Sequence, residues 1–314
     1  MPFRADGTIQ LAFDRLLLPY TINRQSIVLR TANGAGVTSP VMTFDPVTRV
    51  LTLAPPTDGA WLEPGQAYKV VIGIPSGDDD TGGLRAIDRA TLDPTLPDTT
   101  RVVGFITCPA SGCAADGGVT PVATRVRFCN DVFPIFTVHC SAGICHGTPE
   151  QGNAPASGLV LSTSLGIAKT AIGRVAQGSN TGGVAGRPES PGHLFGVDMP
   201  IIAPGSPANS WLMYKMLLSV PRPDGTGTPA VRNRCFPDVD HPNPPVDPFG
   251  GAPPSTAPFR RLDDVERGRL SDLVLGNAMP YPSPDNTITF AELERVRVWI
   301  EQGAEVDDCG ACEP

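Results

Sequence analysis

Lysine is almost missing from this chain: Lys69, Lys169 and Lys215 are the only ones in 314 residues. With a formal net charge of −8 and a pI near 5.0, no basic stripe is available for a phosphate backbone or an anionic lipid surface, so nucleic acid is not an expected partner. Long apolar runs are missing as well. No stretch could span a bilayer, and Met1-Pro-Phe-Arg4 lacks the apolar centre of a signal peptide, so any export or lipidation segment is expected outside this numbering. The glycine-rich run 178–186 has no strand before it, no helix after it and no Lys-Ser/Thr pair, which excludes a phosphate cradle.

Glycine and proline are plentiful instead, 34 and 35 residues, and they imply long, abundant loops. A hydrophobic share of 40% is ordinary for a folded protein, and the length suggests two domains, each with its own core. Eight cysteines are more than a chain of this size carries in a reducing compartment unless it binds metal.

Residues 1–107 read as an all-β module. Ile9-Gln-Leu-Ala-Phe13, Ser26-Ile-Val-Leu-Arg30, Val50-Leu-Thr-Leu-Ala54 and Tyr68-Lys-Val-Val-Ile72 are β-rich runs separated by Asp-, Gly- and Pro-containing turns, a spacing that suggests a small sandwich. Trp61 and Tyr68 read as core or rim aromatics, and Asp78-Asp79-Asp80 as a solvated turn, since three adjacent carboxylates point in different directions. Residues 108–126 form a linker in which Cys108 and Cys113 are expected to bridge, stiffening a hinge before a second domain over 127–308.

The chemistry concentrates in Cys140-Ser-Ala-Gly-Ile-Cys145-His146-Gly147. A thiol pair followed at once by histidine suits covalent haem: the sulfurs join the porphyrin vinyl groups and the imidazole ligates iron from below. The spacer holds four residues where two are usual, and a local disulfide between Cys140 and Cys145 with His146 solvated is the plain alternative. Upstream, Val132, Ile135, Phe136 and His139 recur at helical spacing, with Asn130 as N-cap and Pro134 in the first turn, so a short helix should lead into this loop. His139 is tethered too close to Cys140 to reach the opposite haem face.

Downstream come Pro204-Gly205-Ser206-Pro207-Ala208-Asn209-Ser210-Trp211-Leu212, then Met279-Pro280, then Val298-Trp299-Ile300-Glu301-Gln302-Gly303-Ala304. In this order, over residues 127–305, they resemble the planctomycete-type cytochrome c-like domains of bacterial surface proteins. The phrases Leu51-Thr-Leu-Ala-Pro55 and Leu62-Glu-Pro-Gly-Gln-Ala-Tyr68 resemble a bacterial Ig-like domain of the S-layer-associated type. Together these resemblances imply an Ig-like β-sandwich followed by a mainly α cytochrome c-like domain with long loops. They also imply thioether links at Cys140 and Cys145, proximal His146 and distal Met279. Met199, also followed by proline, is the rival distal ligand, and the plain reading of either methionine is core filler.

Between these segments a helix is expected over 163–177, and Asn209 or Ser210 should cap another through Leu217. Residues 221–258 read as a Pro/Gly-rich insertion holding Cys235, expected to be tied to another element such as Cys129, and His241, which reads as solvated like His193. Leu262, Val265, Leu270, Leu273 and Val274 define an amphipathic helix ended by Gly276. Thr289 and Glu292 form a capping box opening the last helix, and Cys309-Gly-Ala-Cys312, in a tail over 309–314, is expected to close a structural bridge.

The functional expectation is an extracytoplasmic monohaem c-type electron carrier, periplasmic or at the cell surface, with one covalent haem c. Its acidic balance suits a redox partner presenting basic residues, within a larger assembly. The rival is a haem-free surface or adhesion protein with all eight cysteines in four disulfides. A third reading places zinc at Cys140, Cys145 and His146, where no fourth ligand sits at conventional spacing.

Overall fold

The computed structural model describes residues 3–56, 61–77, 80, 82–92, 101–113, 125–141, 145–148, 155–180, 195, 198–221, 260–281 and 288–310. Cys235, Cys312, His193, His241, Asp78, Asp79, spacer residues 142–144 and nearly all of the 221–258 insertion lie outside them. The chain divides into two compact units, Met1–Val122 and Ala123–Pro314.

The first unit carries two three-stranded antiparallel sheets. Strands β1 (Ile9–Ala12), β4 (Val50–Ala54) and β3 (Val41–Asp45) form one in the order β1-β4-β3; β2 (Ile27–Thr31), β5 (Ala67–Ile72) and β6 (Val102–Ile106) form the other in the order β2-β5-β6. Alternation sets which side chains go inward: Leu51 and Leu53 of β4 and Val70 of β5 are fully buried, with Phe44, Ile27, Leu29, Tyr68 and Ile72 beside them. Each such side chain removed from water contributes about 1.5–3 kcal/mol. Between β3 and β4, Asp45 accepts backbone N–H bonds from Val47 at 2.8 Å and Thr48 at 3.1 Å, an Asx turn that reverses the chain. Cys108 bridges Cys113 just beyond β6.

In the second unit, a π-helical turn (Phe128–Val132) leads into α1 (Phe133–His139); α2 (Ser164–Thr170), α3 (Trp211–Leu218), α4 (Asp264–Leu273) and α5 (Phe290–Glu301) follow. Helix α5 begins at the Thr289/Glu292 capping box, and α4 at a second one made by Asp263 and Glu266. Its core gathers Phe128 and Phe136 around Trp299 at centroid distances of 5.5 and 6.0 Å, while the Trp299 indole N–H donates to the Glu305 carbonyl at 2.8 Å. Helix α3 is buried nearly all round and packs against α4 and α5.

This architecture corrects the expected fold class. In place of an Ig-like sandwich followed by a mainly α cytochrome c-like domain, the chain forms two small three-stranded sheets and, among the described residues, five helices of 7–12 residues. The physical reason is the Pro- and Gly-rich connections, which keep strands to 4–6 residues and space the helices widely.

Local expectations change too. Asn130 lies inside the π-helical turn and caps nothing; the N-cap of α1 is Val132, without a side-chain bond. The 163–177 helix shortens to Ser164–Thr170, capped by the Thr163 side chain. Ser210 occupies the N-cap of α3 but makes no cap bond; its hydroxyl oxygen accepts from the Ala203 N–H at 2.9 Å instead, and the hydroxyl donates to the Ser206 carbonyl. Helix α4 ends at Leu273, ahead of Gly276, and Val265 on it is 61% exposed, outside the buried face.

Candidate functional site

Helix α1 delivers the chain to Cys140, whose N–H closes the last turn on the Phe136 carbonyl at 2.8 Å. The preceding His139 is fixed from the side by Glu292 of α5, Nε2 to Oε1 3.3 Å, so the capping-box carboxylate also anchors the entry to the loop. The chain then folds back on itself: the His146 N–H donates to the Cys140 carbonyl at 3.1 Å. A following segment braces this loop. The Ala156 N–H donates to the Cys145 carbonyl at 2.7 Å, and the Leu161 N–H to the His146 carbonyl at 2.8 Å.

His146 is 8% exposed, and its Nδ1 lies 3.2 Å from the Leu159 carbonyl oxygen. A carbonyl only accepts, so Nδ1 carries the hydrogen and the Nε2 lone pair is left for another partner. Burial lowers the ring's pKa, partly offset by the carbonyls of Leu159 and Ala156, and the imidazole is neutral at pH 7. Burial, with a smaller contribution from Cys145, pushes the Cys140 thiol up to about 12. That thiol stays protonated, unlike the low-pKa cysteine of a redox catalyst.

Cys140 and Cys145 are free, although four of the other described cysteines pair as Cys108–Cys113 and Cys129–Cys309. The second pairing corrects two expectations, since Cys129 is joined to Cys309 and neither to Cys235 nor through a Cys309–Cys312 bridge. It does so by bringing the π-helical turn against the segment after α5.

No protein family, curated protein or solved structure matches this chain. The site's own geometry therefore carries the functional reading. Among the described residues no three His, Cys, Asp or Glu side chains gather into a metal-holding group. Covalent haem asks for something else: two separate sulfurs for the porphyrin edge and one imidazole nitrogen for its centre. Two unbridged thiols beside a buried, oriented, neutral imidazole fit that requirement.

Met279 is half-buried in the segment after α4, ahead of the buried Pro280. Its N–H donates to the Lys215 carbonyl of α3 at 3.1 Å. The Lys215 ammonium donates to the carbonyls of Leu275 and, at 2.9 Å, Asn277; burial lowers its pKa to about 8. Met199 is 4% exposed, and its carbonyl accepts from the Ala176 N–H at 3.0 Å, so its backbone belongs to a packed crossing beside α2. The structure thus unites Cys140, Cys145 and His146 and carries Met279 on a separately anchored segment. Sequence reading missed three supports: the Leu159 carbonyl, Glu292 as the partner of His139, and Lys215. The last had a signal, a lone lysine inside the apolar run Trp211-Leu-Met-Tyr-Lys-Met-Leu-Leu218.

Proposed function

We propose that residues 140–146 attach one haem covalently, with His146 as proximal and Met279 as distal iron ligand, and that the chain is an extracytoplasmic one-electron carrier. The observation that carries this reading is the pair of unbridged thiols at Cys140 and Cys145 next to a buried imidazole whose Nδ1–H is committed to the Leu159 carbonyl. Attachment needs no oxidant: each thiol adds across a vinyl double bond, its sulfur bonding one carbon and its hydrogen passing to the other.

Bound haem supplies the one-electron couple. The chain's residues do the rest. Leu159 fixes the tautomer that presents Nε2, and its acceptor bond raises the basicity of the ring. Met279 offers a soft, neutral thioether, which favours the ferrous state and raises the potential. The bridges Cys108–Cys113 and Cys129–Cys309 are compatible with an oxidising compartment, and the net charge of −8 suits a redox partner with a basic face.

A haem-free, disulfide-bonded surface protein is the second reading, favoured by those same two bridges. It requires Cys140 and Cys145 to pair as well, and here they are free. The deciding experiment is expression in a host that matures c-type cytochromes, followed by acid–acetone extraction of the denatured protein. Colour that stays with the polypeptide in the wild type, and is extracted from a Cys140→Ser/Cys145→Ser variant, supports the proposal; colourless protein in both supports the second reading.

A further inference from the structure

Lys215 joins helix α3 to the segment after α4. The Lys215 ammonium donates to the carbonyls of Leu275 and Asn277, while the Lys215 carbonyl accepts the Met279 N–H at 3.1 Å. Three hydrogen bonds thus run between one helical residue and a five-residue stretch that has no regular structure of its own. The turn is shaped for that contact. Gly276 lies between the two accepting carbonyls with φ +81°, and a Cβ built on it would stand 3.2 Å from Nζ, tighter than nine in ten real Cβ contacts. The helix beneath is rigid, since Met213, Tyr214, Met216 and Leu217 around the lysine are buried and the Tyr214 hydroxyl donates to the Ala208 carbonyl at 2.7 Å.

Neither feature serves a helix end. Helix α4 has already closed at Val274, whose N–H bonds the Leu270 carbonyl at 2.8 Å, so the carbonyls of Leu275 and Asn277 belong to the loop. A side chain that must be drawn out of water to satisfy two loop carbonyls is a costly way to hold a chain unless the position of that chain matters.

We propose that Lys215 is the positioning residue for Met279: it clamps the 275–279 turn and so fixes the backbone from which the thioether would reach a bound haem iron. This rests on the reading of Met279 as distal ligand. The clamp replaces a flexible tether with an anchored one, which raises the effective concentration of the sulfur at the iron and lets it exclude competing ligands.

The test is imidazole binding to the ferric, haem-loaded protein, with Met279→Ala as reference and Ile167→Ala, a cavity at a fully buried site in α2, as a control for general loosening. Lys215→Met and Gly276→Ala, which break the clamp from opposite sides, are each expected to tighten imidazole binding by about tenfold or more, towards the Met279→Ala value, while Ile167→Ala stays within about twofold of wild type. Clamp variants that match wild type while Met279→Ala binds tightly overturn the role of Lys215 and leave the ligand assignment standing. An Ile167→Ala variant that tightens binding as much as Lys215→Met overturns it too. If Met279→Ala matches wild type, the assignment of Met279 fails and the clamp with it; if no haem is bound, the parent reading fails first.

Discussion

Glu292 holds two structures with one carboxylate. It closes the N-terminus of α5 through the Thr289 backbone, 2.7 Å, and it anchors His139 at the mouth of the cysteine loop, 3.3 Å. Burial alone would raise its pKa, but the hydrogen bonds from His139 and Thr289 outweigh burial and hold the carboxyl below its usual value. A carboxyl depressed in the folded state stabilises above its unfolded pKa, near 4.3, and loses that contribution as pH falls through the folded value. Glu292→Gln keeps the length and an acceptor for the cap, so the variant should be less stable at pH 7 by about 1.5–3 kcal/mol, the range for a buried charge-assisted hydrogen bond. The gap should close as pH falls below about 4.3 and through the depressed folded value. Urea melts of both proteins across that range check this, and a constant gap would remove the role given to the charge. The capping box was legible because Thr and Glu three apart before an apolar run is a local pattern. The His139 contact was not, because its partner lies 153 residues away.

At the scale of elements, strands β1, β2, β4 and β5 were readable as β-rich runs between turns, whereas β3 and β6 were not. Val41–Asp45 sits between Pro40 and Pro46, and Val102–Ile106 holds Gly104 with Val103 and Ile106 exposed, so neither shows a clean inward face. Both exist through pairing, β3 with β4 and β6 with β5, which supplies hydrogen bonds that no local pattern announces. Disulfide connectivity was hidden for the same reason. Cys129 and Cys309 lie 180 residues apart, and their bridge closes a loop that constrains the unfolded chain heavily. Replacing both by serine should cost about 2–5 kcal/mol, read as a drop in the urea midpoint of the second unit. The turn ending α5 depends on Trp299, so Trp299→Ala, which opens a cavity between Phe128 and Phe136, should cost about 3–5 kcal/mol in the same assay. A loss below about 1 kcal/mol would mean that this aromatic cluster is not the core of the unit.

The molecule as a whole combines a unit of two small sheets with a helical unit whose longest helix, among the described residues, has 12 residues. Composition announced the loops, and the motif around Cys140 marked the candidate site; neither could give the layering, because strand and helix lengths here are cut by proline and glycine rather than set by a repeating pattern. What the fold adds is the contrast among cysteines. Bridges at Cys108–Cys113 and Cys129–Cys309 coexist with open thiols at Cys140 and Cys145, and the proposed covalent haem would give that open pair its use. His146→Ala should leave the attached haem in place while removing its proximal ligand, so the variant should keep full covalent haem content, lose the wild-type ferrous visible spectrum and bind carbon monoxide readily. The most direct measurement is intact mass of the exported protein under denaturing, reducing conditions. The account predicts the polypeptide plus one haem, unchanged by reductant; a polypeptide of bare mass, gaining two hydrogens for every disulfide reduced, would contradict it.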